Sequence, residues 1–314
     1  MNEMEFYAAV AEDILDYMPE SYAGSVVNVQ ETMKNNDTYL HGLTIGEKGT
    51  SIMPIMYLEP YFQEYNYGKP LEEICIDIAV KYDQAVQMRP DMNEPDLNYD
   101  KIKDKLRVRL VDVRNNKEFL NKMENRPIGH GFALTVYIDD PIGNPVKGMI
   151  NVTKDMAETL GYDEKQLFAD AMSSSAKFSE PVLQDIEDMI FGGGGQNFLR
   201  GGVPDEGIQM LVLTNQSNYL GAASLFYPDM QKRIGEIVGG DYYVLPSSVH
   251  ELLIIPNRGN FKANELADMV QSVNNQMVSQ DEQLGNKVLF YRADMDKLIV
   301  AVDLDKDKEK GRNR

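Results

Sequence analysis

Two neighbouring stretches of the sequence decide the fold: Leu213-Thr-Asn-Gln-Ser-Asn-Tyr-Leu-Gly-Ala-Ala-Ser-Leu-Phe-Tyr-Pro228 and Gly240-Asp-Tyr-Tyr-Val-Leu-Pro-Ser-Ser-Val-His-Glu-Leu-Leu-Ile-Ile-Pro256. The second stretch holds two short apolar runs, at 241–245 and 251–255, which are typical of buried strands joined by a turn. The first holds a strand at 209–214 and, after a turn, a strand or strand-to-helix passage at 219–226. Small residues in that passage permit close backbone approach. Together the stretches predict a buried sheet.

Helices and hairpins surround this sheet without a regular strand–helix–strand repeat. Residues 3–18 predict an amphipathic helix with a capping box at Asn2. Residues 25–33 and 38–47 predict a hairpin around Lys34-Asn-Asn-Asp37. A second helix is predicted at 71–87, with Cys75 on its apolar stripe as a core residue. We therefore expect an α+β fold with mixed, mainly antiparallel sheets and packed helices.

Composition and charge divide the chain. Residues 1–95 carry 17 acidic and 5 basic side chains, whereas the whole chain has a net charge of −19. We expect an acidic helix–hairpin–helix unit at 1–90, a proline-containing linker at 91–98, a main α+β domain at 99–304 and a charged tail at 305–314.

Three further elements are predicted in the main domain. Residues 105–113 alternate apolar and basic side chains and predict a half-buried strand. Pro181 is expected to open a helix near its first turn. The glycine-rich run 192–204 lacks the spacing of a phosphate-binding motif and is interpreted as a flexible surface loop.

The segment 101–126 is a candidate binding site for anions, because it holds nine basic and four acidic residues. Lys105, Arg107 and Arg109 are the candidate anion-binding residues. The alternative interpretation is a solvated strand face. We favour that alternative, since a short basic strip on so acidic a protein attracts phosphate weakly. Binding of nucleic acid through this segment is therefore a secondary hypothesis.

Cofactor and metal motifs are not found in the sequence. There are three histidines and one cysteine, with no His-Glu-x-x-His and no paired cysteine motif. We expect no cofactor and no metal. No apolar run approaches the ~18 residues of a membrane span, and Met1-Asn-Glu-Met-Glu is acidic where a secretory leader is basic. We expect a cytoplasmic protein that does not bind membranes.

Ser247, Ser248, His250 and Glu251 form the candidate hydrolytic cluster. A serine nucleophile needs a base within about 3 Å and a third group that orients the base. Residues so close in one turn rarely reach that geometry, and there is no Gly-x-Ser-x-Gly motif. The alternative is that the serine hydroxyls cap backbone groups of the turn.

The same region resembles a known family. Leu213-Thr-Asn, Gly221-Ala, Leu225-Phe-Tyr-Pro228 and Tyr243-Val-Leu-Pro-Ser-Ser-Val-His-Glu251 resemble the bacterial domain-of-unknown-function family 5688, as does Pro54-Ile-Met-Tyr-Leu-Glu-Pro-Tyr-Phe62. The resemblance extends from about residue 5 to residue 280. It implies a cytoplasmic protein of Firmicutes bacteria, and it brings no activity, cofactor or catalytic residue.

Three functions remain as hypotheses. The leading one is a non-enzymatic binding or interaction protein with a protein partner. The second is a hydrolase that uses Ser247 or Ser248 with His250. The third is a weak nucleic-acid binder that uses segment 101–126.

Overall fold

The structure is a computed structural model that describes residues 1–46, 53–87, 96–139, 148–191, 195–205, 207–246 and 248–306. Helices and three mainly antiparallel sheets confirm the α+β class. The contacts divide the chain into unit 1, which is Met1–Lys34, Thr38–Leu97 and Asp139–Met149, and unit 2, which is Asn35–Asp37, Asn98–Ile138 and Ile150–Arg314. The predicted linker at 91–98 falls mostly on residues outside the described ones, so it stays a prediction. The predicted tail at 305–314 lies outside them from residue 307.

Unit 1 places helices against a three-stranded sheet of order β1-β2-β3. Its elements are α1 (Glu3–Asp13), β1 (Val26–Met33), β2 (Tyr39–Gly46), β3 (Met56–Tyr57), α2 (Glu59–Asn66) and α3 (Leu71–Gln87). The predicted capping box is confirmed, since Asn2 Oδ1 accepts from Glu5 N and Glu5 Oε2 accepts from Asn2 N, both at 2.9 Å. The predicted hairpin is confirmed too, with Met33 opposite Tyr39.

The core of unit 1 forms between α1, α3 and β2. Tyr82 on α3 is buried, and its hydroxyl both accepts from Ile45 N and donates to Ile45 O at 2.7 Å. This pairing satisfies two backbone groups of a buried strand with one side chain. Cys75 is also buried, as its place on the apolar stripe predicts, and burial raises the pKa of its thiol to about 11.

Cys75 should therefore react slowly with thiol reagents while unit 1 is folded. A disulfide reagent such as DTNB reacts with the thiolate form of cysteine. At pH 8 the raised pKa lowers the thiolate fraction of Cys75 at least ~100-fold relative to an ordinary cysteine. We expect rapid colour development only after addition of guanidinium chloride. Equal rates in native and denatured protein would contradict the burial of Cys75.

Unit 2 contains the other two sheets. The four-stranded sheet has the order β4-β6-β5 with β7 also paired to β6, and the six-stranded sheet has the order β13-β12-β10-β11-β9-β8. The elements are α4 (Tyr99–Ile102), β4 (Leu106–Asp112), α5 (Lys117–Lys122), β5 (Asn125–Gly129), β6 (Phe132–Asp139), β7 (Met149–Asn151), α6 (Lys154–Leu160), α7 (Glu164–Phe178), β8 (Pro181–Asp185), α8 (Ile186–Phe191), β9 (Leu211–Asn215), α9 (Met230–Val238), β10 (Tyr242–Leu245), β11 (Leu252–Pro256), α10 (Ala263–Gln276), β12 (Lys287–Arg292) and β13 (Lys297–Asp303).

One predicted element of unit 2 is wrong, and another is right only in its helical part. Pro181 opens a strand and not a helix, because Pro181–Asp185 pairs along Leu211–Asn215, and proline is tolerated at the first residue of a strand at the end of a sheet. The passage at 219–226, predicted as a strand or a strand-to-helix passage, holds no strand, but it does turn into a 3-10 helix, Gly221–Phe226, which is buried except at its last residue. In the glycine-rich run, Phe198 and Leu199 are buried, so at least this part is packed and not a free surface loop.

One buried ion pair joins the two sheets of unit 2. Lys287 Nζ on β12 lies 2.5 Å from Asp112 Oδ2 on β4, and the two side chains are 1% and 2% exposed. Asp112 Oδ1 accepts from the backbone N–H groups of Arg114 and Asn115, while Lys287 Nζ lies 4.1 Å from the ring centre of Phe132. Both charges are thus matched inside the protein, as buried charges require.

Removal of either charge should destabilise unit 2 strongly. Lys287→Met leaves the Asp112 carboxylate buried without a cation, and we expect the free energy of unfolding to fall by ~3–5 kcal/mol. The double change Lys287→Met with Asp112→Asn should cost less than the two single changes added together, because no lone charge remains. Urea unfolding measures both.

Lys297→Met is the matched control. Lys297 is exposed at the start of β13, and its replacement should change the free energy of unfolding by no more than ~0.5 kcal/mol. Comparable losses for Lys287→Met and Lys297→Met would show that the ion pair is not what joins the sheets.

Candidate functional site

His250 lies in the connection between β10 and β11, where both of its ring nitrogens are engaged. Nδ1 accepts from Leu220 N at 3.1 Å, and Nε2 lies 3.1 Å from Glu282 Oε1. Because Nδ1 accepts a backbone N–H, the ring proton must be on Nε2, which donates to the carboxylate of Glu282. The ring also packs against Tyr219, with centroids 5.1 Å apart. His250 therefore links three separate segments of unit 2.

The backbone around His250 is equally constrained. His250 O accepts from Gly221 N at 3.0 Å and from Thr214 Oγ1 at 2.9 Å. A Cβ on Gly221 would lie 2.6–2.7 Å from Thr214, Asn215 and His250, so the close approach requires glycine at this position. Leu220, just before it, has φ 54°, a left-handed conformation that non-glycine residues rarely adopt.

The predicted hydrolytic cluster does not assemble a serine–histidine pair among its described residues. Ser248 Oγ accepts from the backbone N–H of His250 at 3.0 Å, and its hydroxyl is hydrogen-bonded to the carboxyl group of Glu251. Burial raises the pKa of Glu251, while His250 and the bond to Ser248 oppose this rise. Neither ring nitrogen of His250 is left to take a proton from Ser248. Ser247 lies outside the described residues.

The carboxylate partner of His250 is Glu282, which is 32 residues away, and not the adjacent Glu251. No spacing in the sequence indicates this pairing. The structure supports the alternative in which Ser248 caps a backbone N–H of the turn. His250 acts as a polar link between segments.

Replacement of His250 should reveal this structural role. His250→Leu leaves Leu220 N without its acceptor, and we expect a loss of ~1–3 kcal/mol in the free energy of unfolding. His250→Asn should lose less, because its Oδ1 can replace Nδ1 as acceptor. Urea unfolding of the two variants compares them directly. If Leu and Asn cost the same, the bond to Leu220 does not stabilise the fold.

The basic residues of β4 are buried, which corrects the prediction of a half-buried strand with a solvated basic face. Every residue of Leu106–Asp112 is buried, with Arg107 7% and Arg109 6% exposed. Arg107 Nη1 donates to Ser174 Oγ on α7 at 2.6 Å and to two backbone oxygens. Lys105, before the strand, is half-buried. Side chains so enclosed cannot align on the phosphates of a nucleic acid.

A cavity of about 540 Å³ in unit 2 is lined almost entirely by amide side chains, and no sequence motif predicts it. Six of its seven lining side chains are amides and the seventh is Val278. The amide residues are Asn36, Asn115, Asn274, Asn275, Gln280 and Gln283. We call this cavity the amide pocket. The density of amides in Asn274-Asn-Gln-Met-Val-Ser-Gln-Asp-Glu-Gln283 is the signal in the sequence that points to it.

Hydrogen bonds hold several of these amides in place. Asn36 Nδ2 donates to Gln280 O at 2.6 Å and to Gln283 O at 2.8 Å. Asn116 Nδ2 donates to Asn36 Oδ1 at 2.8 Å, and Gln283 Nε2 donates to Asn274 O at 3.0 Å. The wall of the amide pocket is thus preorganised by its own polar network.

Two buried amide oxygens in and beside the pocket have no hydrogen-bond partner in the part of the chain that the structure describes. They are Oδ1 of Asn274 and Oδ1 of the neighbouring Asn35, whose residues are 3% and 5% exposed. Their amide nitrogens are fully used, since Asn274 Nδ2 donates to Gly285 O and Asn286 Oδ1, and Asn35 Nδ2 donates to Asp281 O and Gln283 O. Unmatched buried acceptors cost stability, and a bound ligand that donates hydrogen bonds is one explanation for them.

Within the described part of the chain, no group of three or more His, Cys, Asp or Glu residues could hold a metal ion. None of the helices described there combines the length and apolar character needed to cross a bilayer.

Comparison with known proteins gives one match. A model described as a family of unknown function (DUF5688) matches residues 3–293, nearly the whole chain, which confirms the resemblance seen in the sequence motifs. No curated protein and no solved structure matches the chain.

Proposed function

We propose that this chain, which belongs to the DUF5688 family of unknown function, is a non-enzymatic binding protein whose ligand occupies the amide pocket. The single observation that carries the proposal is the lining of that pocket by six asparagine and glutamine residues. Each amide both donates and accepts hydrogen bonds. None of the lining side chains titrates, so this site can recognise a ligand but cannot transfer protons to it.

The lining also indicates the chemistry of the ligand. A neutral molecule with several hydroxyl or amide groups would match alternating donors and acceptors without bringing a charge that the site cannot neutralise. The volume of about 540 Å³ suits a small molecule. The fixed amides of Asn36 and Gln283 already donate both N–H groups within the protein, so they would present their oxygens to a ligand without a large loss of side-chain entropy.

The other two hypotheses have less support. The hydrolase hypothesis needs an imidazole base for a serine, and the ring of His250 is bonded to Leu220 N and Glu282 instead. The nucleic-acid hypothesis needs an exposed basic strip, and Arg107 and Arg109 are buried. A protein partner remains part of the proposal, since the pocket could equally receive the polar side chains of one.

We also propose that the protein acts in the cytoplasm of a bacterium. Its single cysteine is a buried free thiol, which fits a reducing compartment where disulfides are rare.

Asn275→Leu tests the amide pocket. Asn275 lines the pocket and is exposed on α10, so its replacement should leave the fold intact while removing a donor and an acceptor. With N-acetylglucosamine as the probe, we expect saturation-transfer NMR signals in the wild type and a loss of about fivefold or more in Asn275→Leu, from one or two lost hydrogen bonds.

Asn264→Leu is the matched control, because Asn264 is also exposed on α10 but does not line the pocket. It should bind the probe as the wild type does. Equal losses in both variants, or strong signals that neither variant reduces, would show that the amide pocket is not the binding site.

A further inference from the structure

Arg109 is a buried cation that its surroundings leave largely unmatched. Its residue is 6% exposed, and its Nη2 donates to Asn151 Oδ1 at 3.2 Å. Its buried Nε has no hydrogen-bond partner among the residues that the structure describes. A guanidinium has five N–H donors, and the bond to Asn151 is the hydrogen bond that Arg109 makes within the described residues. At least the Nε–H donor is therefore open to an acceptor supplied by a ligand.

No carboxylate of the described chain neutralises this charge. The groups that interact with Arg109 are the ring of Phe119, 4.9 Å from Cζ, and the hydroxyls of Tyr137 and Tyr219. Burial lowers the pKa of Arg109, but an arginine stays protonated in proteins. A buried charge without a counter-charge costs several kcal/mol, and proteins normally pair it. Arg107 is better matched than Arg109, because three oxygens accept hydrogen bonds from its Nη1.

We propose that Arg109 binds the carboxylate group of a small organic anion. The planar guanidinium fork matches a carboxylate with two parallel hydrogen bonds. One positive charge is neutralised by one carboxylate, whereas a phosphate dianion would leave an excess negative charge in a site that offers no second cation among its described neighbours. The aromatic rings of Phe119 and Tyr219 would contact the apolar part of the ligand.

Tyr219 is a neighbour of Arg109 that reaches solvent. This residue is 50% exposed, although it lies close enough to interact with Arg109 and packs on the ring of His250. Movement of this exposed side chain would give a small ligand access to Arg109. Arg109 is not among the residues that line the amide pocket, so this second site stands independently of the proposed function.

The arginine Nε–H signals in ¹H–¹⁵N NMR spectra test the proposal directly. Benzoate, added at constant ionic strength against chloride, should shift the Arg109 Nε–H signal saturably. Arg109→Lys keeps the charge but loses the fork, and should bind benzoate about tenfold more weakly. Arg126→Lys is the matched control, because Arg126 also lies over a phenyl ring, that of Phe168, but is half-buried. It should bind as the wild type does.

Asn151→Asp provides a second test that does not rely on removing Arg109. The new carboxylate would stand at the position of Asn151 Oδ1, in contact with Nη2, and would supply the missing counter-charge within the chain. We expect a higher unfolding midpoint than the wild type without ligand, and no further rise when benzoate is added. Wild type should show such a rise.

Three results would overturn the proposal. The first is the absence of a saturable shift of the Arg109 signal with benzoate. The second is saturation of that signal by inorganic phosphate at a lower concentration than by benzoate, which would assign a phosphate site. The third is an equal response of wild type and Asn151→Asp to benzoate. Asn275→Leu should bind benzoate normally, so failure of the amide pocket leaves this result unaffected.

Discussion

The ion pair between Asp112 and Lys287 is the constraint on which the rest of unit 2 depends, because it joins strands of two different sheets inside the protein. Two glycines leave the space that this ion pair occupies. A Cβ on Gly131 would lie 2.9 Å from Lys287 Nζ, and one on Gly285 would lie 3.1 Å from Asp112 Oδ2. Asp112 also accepts from the backbone of the following turn, and its carbonyl receives Asn116 Nδ2. The same residue that closes the core thus positions one wall of the amide network.

The short 3-10 turn Gln280–Glu282 brings the two polar regions of unit 2 into contact. Glu282 Oε1 accepts a hydrogen bond from Nε2 of His250, and the backbone oxygen of Glu282 accepts one from Val249 N at 2.8 Å. Gln280 O, in the same turn, accepts from Asn36 Nδ2. A ligand that orders this turn from the pocket side therefore also fixes the segment that holds His250. His250, a catalytic candidate in the sequence, thus connects distant segments of the fold.

Local patterns in the sequence predict much of the fold, and long-range packing explains the failures. The capping box at Asn2, the hairpin after Met33 and the α+β class follow from neighbouring residues. The burial of Arg107 does not, because α7 covers that face of β4 from 67 residues away. Pro181 carries a helix signal, but its partner strand decides otherwise. The partner of His250 and the walls of the amide pocket come from remote segments, so residue types alone indicate polar sites without indicating which residues meet.

The separation of Asp112 and Lys287 by 175 residues has a consequence for biosynthesis. The buried residues of the unit 1 core cluster all lie between Phe6 and Tyr82, so they leave the ribosome early. Lys287 follows Asp112 by 175 residues, which at translation speeds of ~5–20 residues per second takes roughly 9–35 s. During that interval the Asp112 carboxylate has no ammonium partner, and the sheet that contains it cannot be closed against the other one. The nascent chain therefore has to remain soluble while apolar residues of unit 2 are still exposed, and in that period it could bind chaperones.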